Sequence, residues 1–228
     1  MKILMSWSSG KDSAFTLHTL AQQSPGAVAA LLTTYNEVHD RVAMHGVRRS
    51  VLEAQADAAG LPLWQVPLPD QCTNEIYDAR MGTTCARAVA DGFTHVAFGD
   101  LYLEDIRRYR EERLAGSGLT PLFPLWGIPT RELAGRMLDA GLKATLSVVD
   151  TRVLPAEFAG RAFDAALLAD LPAGVDPCAE NGEFHTCVHA GPMFRHALDV
   201  TVGERVDRLP FVFRDIALTE AGAAGTPA

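Results

Sequence analysis

Six consecutive residues, Ser8-Ser9-Gly10-Lys11-Asp12-Ser13, carry the groups needed to hold a polyphosphate. They follow a short apolar run and open a helical pattern. A turn in that place aims backbone N–H groups at one point, and the helix dipole makes the same point favourable for an anion. Gly10 permits close backbone approach. Lys11 brings a compact positive charge and is one of three lysines in the chain, with Lys2 and Lys143. Ser8 and Ser13 can donate hydroxyl hydrogen bonds. Asp12 can cap the helix or orient a magnesium ion. A Walker loop does not fit, because Asp12 follows Lys11 and Met5 stands where its first glycine belongs. The dinucleotide fingerprint G-x-G-x-x-G is absent here.

Three further groups could do chemistry. His45, Arg48 and Arg49 stand at the start of a helical pattern that follows a second strand. In an open parallel sheet this is the carboxyl edge, where ligands bind, and arginines there can fork onto phosphate oxygens. Gly99-Asp100 ends another strand at the same edge, where a glycine lets a nucleotide approach the backbone. Asp12 and Asp100 are the carboxylates suited to magnesium. In the C-terminal part, Glu183 and His185 lie two apart on a predicted strand and share a face, continued by Cys187 and His189. With Cys178 they read C-x6-H-x-C-x-H. Alternate residues of one strand lie about 7 Å apart, a poor geometry for chelating one zinc ion.

Positioning these residues requires alternating elements. Residues 2–7 and 27–34 are apolar runs suited to parallel strands covered on both faces. Helical patterns span 12–21, 47–59, 74–90 and 104–115, the second stopping at Gly60. Residues 63–66 and 94–99 read as further strands. This alternation predicts an α/β fold built on a parallel sheet. The charges of 104–115 recur every three or four residues, the pattern of a salt-bridged exposed helix, and Arg108, Glu112 and Arg113 are read that way. A Pro-rich stretch over 120–129 then breaks the pattern. Beyond it the reading is a helix over 131–140, a strand over 143–149, a helix over 157–171 and a Gly/Pro-rich loop over 172–182. Segments 183–190, 195–202 and 211–218 alternate like antiparallel strands. The expected organisation is a nucleotide-binding domain over 1–128, a smaller α+β domain over 129–218 and a disordered tail over 219–228.

The 228 residues are 48% apolar and 21% charged, a globular composition. A net charge of −8 opposes broad binding to nucleic acid. No apolar run approaches membrane-spanning length, and residues 1–7 are too short for a signal peptide. The four cysteines form no C-x-x-C pair, so reduced thiols and a cytoplasmic setting are expected.

The loop resembles the S-G-G-K-D-S loop of the N-type ATP pyrophosphatases, a PP-loop branch of the adenine nucleotide alpha hydrolase folds, with Ser9 in place of the usual glycine. Four more segments narrow the resemblance: Met44-His45-Gly46-Val47-Arg48, Gly99-Asp100 with residues 103–111 after it, the PLFPLW run at 121–126, and DPCAENGEFHT at 176–186. Together, over residues 1–194, they resemble the diphthine–ammonia ligase family. The resemblance implies that Ser8, Ser9, Gly10, Lys11, Asp12, Ser13, His45, Arg48, Gly99 and Asp100 bind ATP with Mg2+. It places Glu104, Asp105, Arg107, Arg110, Glu111 and Thr186 at the substrate, and makes Lys11, Asp12, Glu183 and His185 catalytic. The implied reaction adenylates a carboxylate, releases pyrophosphate and forms an amide with ammonia. Lys11 is expected to face the ligand, so that Lys11→Ala removes ATP binding and spares the fold. His185, with an ordinary pKa near 6.5, is expected to take a proton from the amine, helped by Glu183. The Arg-rich, Lys-poor composition suits a GC-rich bacterial genome, where the acid would be a small metabolite or a corrinoid and not diphthine. A homodimer is expected. The alternatives are a nucleotide-binding sensor without turnover and a tRNA-modifying PP-loop enzyme; the latter would want catalytic cysteines and a basic surface.

Overall fold

The computed structural model describes residues 1–42 and 44–219. Residues 220–228 of the expected tail lie outside them. The first half is an open α/β sheet. Its strands are β1 (Ile3–Ser6), β2 (Val28–Asn36), β3 (Arg41–Val42), β4 (Leu63–Leu68), β5 (His95–Ala97) and β6 (Thr120–Leu122). Five of them run parallel in the order β4-β2-β1-β5-β6. β3 folds back antiparallel on the end of β2. The helices between them are α1 (Lys11–Gln23), α2 (Arg49–Ala59), α3 (Asn74–Ala90) and α4 (Glu104–Leu114). β1 is central, and Ile3, Leu4 and Met5 are buried on both faces, as a parallel strand requires. α2 stops at Gly60, which sits at φ 67°, a backbone that an L side chain rarely adopts. The sequence pattern omits β3 and β6. Both are too short to show a period, and Pro121 interrupts the second.

The second half is an antiparallel sheet in the order β8-β7-β10-β9, preceded by α5 (Thr130–Asp139). Its strands are β7 (Lys143–Asp150), β8 (Phe184–Ala190), β9 (Val200–Arg208) and β10 (Phe211–Leu218). One apolar cluster joins the two sheets, running from Met5 and Trp7 through Leu133 and Met137 to Leu146, Phe184 and Val212. A second cluster, with Leu4, Val66, Phe93 and Phe98, covers the opposite face of the parallel sheet.

Two expectations fail here. The helix expected over 157–171 is a short 3-10 turn at Ala156–Phe158 followed by α6 (Ala165–Asp170). Between them the chain pairs with β7 instead: Gly160 N–H donates to the Leu146 carbonyl at 2.8 Å, and Phe163 N–H to the Ala144 carbonyl at 2.8 Å. Part of one edge of β7 is free of β10, and satisfying its buried backbone outweighs helix propensity. Gly160 allows the bend at φ 91°. The middle C-terminal strand is β9, displaced toward the C-terminus from the expected 195–202.

Candidate active site

The loop leaves β1 at the carboxyl edge and turns at Ser9, which adopts φ 71°. A glycine would take that conformation freely, whereas serine costs about 1 kcal/mol. The turn is held from behind. The Ser9 carbonyl accepts from Val188 N–H at 2.9 Å and from the Gln55 amide at 3.2 Å. Gln55 also donates to the Val188 carbonyl at 2.6 Å and accepts from the Trp7 indole at 3.0 Å. This fully buried glutamine therefore ties β1, the loop and β8 together. The sequence reading passed over it. A polar residue four places after Val51 and three after Leu52, on the buried face of α2, was the available signal.

Gly10 offers no side chain to cap α1. The cap comes instead from the other half of the molecule, where Thr186 Oγ1 accepts from Lys11 N–H at 3.0 Å. Thr186, expected at the substrate, thus stands at the start of α1. Ser13 donates to the Gly10 carbonyl at 2.9 Å, and its hydroxyl lies 3.1 Å from that of Ser8.

Lys11 is not exposed to ligand as expected. It keeps only 2% of its surface. Its Nζ donates to Asp12 Oδ2 at 2.9 Å and to the Cys178 carbonyl. Burial pulls the ammonium pKa down, but the Asp12 carboxylate and the acidic surroundings outweigh it and hold the pKa above the ordinary lysine value. The Lys11→Ala expectation of an unharmed fold is therefore withdrawn.

His45 and His185 meet over this loop, their ring centroids 4.4 Å apart. A Cβ placed on Gly10 would lie 3.2 Å from His45 Cε1, so the glycine makes room for that ring. Burial pushes the His185 pKa down to about 4, with Lys11 adding to the effect, and burial, His185 and Lys11 push His45 well below its usual value. Both imidazoles are neutral at pH 7. His185 does not titrate near 6.5 as expected.

Glu183 is also reassigned. Its carboxylate accepts from Asp176 N–H at 3.1 Å, Asn181 N–H at 3.0 Å and the Asn181 amide at 3.0 Å. It folds the 176–182 loop and makes no bond to His185. Glu180, within the same motif but not singled out by sequence, carries the link to the first half. It accepts from Leu101 N–H at 2.7 Å. Burial raises its pKa to about 7, against the pull of that hydrogen bond and with help from the Asp12 charge.

The remaining candidates are paired among themselves. Arg110 Nε donates to Asp100 Oδ2 at 2.6 Å. Arg107 bonds Glu111 at 2.8 Å and lies over the Phe123 and Trp126 rings of the PLFPLW run. Glu104 and Asp105 are exposed in the first turn of α4. Arg48 forks onto Asp215 of β10 at 2.9 and 2.6 Å, which ties α2 to the C-terminal sheet. Gly99 has a packing reason: a Cβ there would lie 2.9 Å from the Asp12 backbone carbon. It lets the segment after β5 touch the start of α1. Gly99→Ala is therefore expected to destabilise by about 1–3 kcal/mol, the usual cost of overpacking, and to shift the loop. Denaturant titration checks this, and wild-type stability would refute it.

Three buried polar atoms around the loop have no partner: Ser9 Oγ, Asp12 Oδ1 and His45 Nδ1. Each such atom costs about 1–3 kcal/mol unless a polar partner meets it. A hydroxyl, a carboxylate oxygen and an imidazole nitrogen beside an ammonium suit phosphate oxygens and a hydrated divalent cation. Among the described residues no three His, Cys, Asp or Glu side chains cluster to hold a metal by themselves. Magnesium does not need that many, because it binds through one or two carboxylates plus phosphate. A cleft of about 390 Å³ opens between the β2–β3 end and the β9–β10 hairpin, lined by Arg41, Met44, Gly46, Val206, Phe213 and Asp215 among others and by no residue of the loop.

A parallel sheet whose serine-rich turn opens the first helix at the carboxyl edge defines a PP-loop nucleotide-binding domain. The chain belongs to the diphthamide synthase family: the model of the diphthamide synthase N-terminal domain matches residues 1–120, and that of the C-terminal domain matches residues 129–218. This is a family of ATP-using PP-loop enzymes. No curated protein matches the chain. No helix among the described residues is long and apolar enough to cross a membrane.

Proposed function

We propose that the protein is an AMP-forming carbon–nitrogen ligase that adenylates a carboxylate and passes the acyl group to ammonia. The unpartnered set of Ser9 Oγ, Asp12 Oδ1 and His45 Nδ1 around Lys11 carries this reading. ATP lies across the carboxyl edge with its β and γ phosphates on the loop. Lys11 exchanges the Cys178 carbonyl for a phosphate oxygen and stabilises the leaving pyrophosphate. Magnesium, when bound, neutralises the same phosphates, and Asp12 Oδ1 would hold it. An oxygen of the acid attacks the α phosphate. Ammonia then attacks the acyl carbon as the acyl–phosphate bond breaks and AMP leaves, with neutral His185 accepting a hydrogen bond from the amine. Cys178 and Cys187 take no part, since burial raises both thiols to about 12. In a bacterial host the acid would be a small metabolite or a corrinoid side chain.

The expected products, with a competent acid and ammonia, are AMP and pyrophosphate. Chromatography of a screen of acids with labelled ATP tests this. ADP as the main nucleotide product would place the protein in another mechanistic class, and ATP bound but intact across the screen would favour a sensor.

A further inference from the structure

β9 ends the antiparallel sheet and pairs with β10 along one side only. Eight of its nine residues are exposed, and Val202 and Val206 leave 47% and 42% of their surfaces in water. An open edge of this length templates another strand unless it is guarded by lysine, proline or a distortion. β9 contains no lysine or proline, and what guards it is four charged residues, whose order decides which strand it can accept. The irregularity is a bulge on β9, where Gly203 and Glu204 together stand opposite Asp215, while residues 205–208 keep an unbroken register opposite 211–214.

The charges on this edge have an order. They read Glu204, Arg205, Val206, Asp207, Arg208. When this strand faces its own reversed copy with Val206 at the centre, Glu204 meets Arg208, Arg205 meets Asp207 and valine meets valine. Every charge in the stretch then has an opposite sign across from it. Backbone N–H and C=O groups point to the same edge at every second residue, so a two-fold antiparallel pair must centre on a residue. Centring on 204, 205, 207 or 208 sets like charges face to face. Only Val206 within this stretch avoids that. The strand is thus self-complementary in one register.

We propose that β9 pairs antiparallel with the same strand of a second copy, about a two-fold axis at Val206, joining two four-stranded sheets into one of eight strands. In the single chain Arg205 bonds its neighbour Asp207 at 2.6 Å. In the dimer it turns to Asp207 of the partner subunit. The paired valines cover each other.

Charge reversal tests this on the full chain by sedimentation velocity over a concentration series. The wild type shows a concentration-dependent monomer–dimer equilibrium. Glu204→Arg sets arginine against Arg208 of the partner subunit, and Arg208→Glu sets two glutamates together. Each weakens dimerisation by about tenfold or more. The double variant Glu204→Arg/Arg208→Glu restores opposite signs and recovers most of the wild-type affinity. Both positions are exposed, and circular dichroism confirms that each variant is folded. A wild type that is monomeric throughout overturns the proposal. So does a dimer indifferent to the single reversals, or a double variant no better than either single one.

Discussion

Lys11→Met destabilises the protein by about 3 kcal/mol and abolishes ATP turnover. The first effect follows from burial. The ammonium is 2% exposed and bonds both Asp12 and the Cys178 carbonyl. Removing one member of a buried ion pair leaves its partner's charge uncompensated, which costs about 3–5 kcal/mol. Asp12 retains 28% of its side-chain surface, so water screens part of that charge and the low end applies. The second effect follows from the phosphate role, because no other lysine lies near the loop. The double variant Lys11→Met/Asp12→Asn separates the two. It removes both charges and should recover most of the lost stability, yet it stays inactive. Chemical denaturation and AMP release are the measurements. A stable single variant would refute the buried pair, and an active one would refute the phosphate role.

Stability between pH 4 and pH 7 should respond to two residues in opposite directions. His185 has a folded pKa of about 4, below its unfolded value of 6.5. The unfolded chain therefore binds more protons in that interval, and stability from this group is present above pH 6.5 and lost as pH falls toward 4. Its size is about 3 kcal/mol by linkage. His45, also depressed, acts in the same direction. Glu180 has a folded pKa of about 7, above that of a free carboxyl. Its contribution is present below about pH 4.5 and lost as pH rises through 7. The two histidines outweigh one glutamate, so wild-type stability rises with pH over this range. Glu180→Gln, which can keep the hydrogen bond from Leu101 N–H, steepens that rise. His185→Asn flattens or reverses it, and lowers amide formation by about 100-fold, the scale of a lost acid–base group. Melting temperatures across the pH series decide the matter. Parallel curves for wild type and both variants would show that neither residue titrates as the structure requires.

The alternation of strands and helices, the phosphate loop at the first carboxyl edge and the antiparallel character of the C-terminal half were all legible in the sequence. They rest on local periodicity and on residues adjacent in the chain, such as the six of the loop. The partners of those residues were not legible. Lys11 finds the Cys178 carbonyl 167 positions away, and Arg48 finds Asp215 at the same separation. Gln55 reaches Val188 across 133 positions. A loop motif shows that a lysine can meet phosphate, but only the packing of the C-terminal half on α1 decides that this one is buried against the Cys178 carbonyl. The same packing moves the histidine pKa from neutrality toward 4, because desolvation depends on what lies around a ring and not on which residues precede it. It also lets β7 take residues 160–163 as a partner, overriding a helical pattern in which Gly160 and the capping Asp164 were the only local signs of a break.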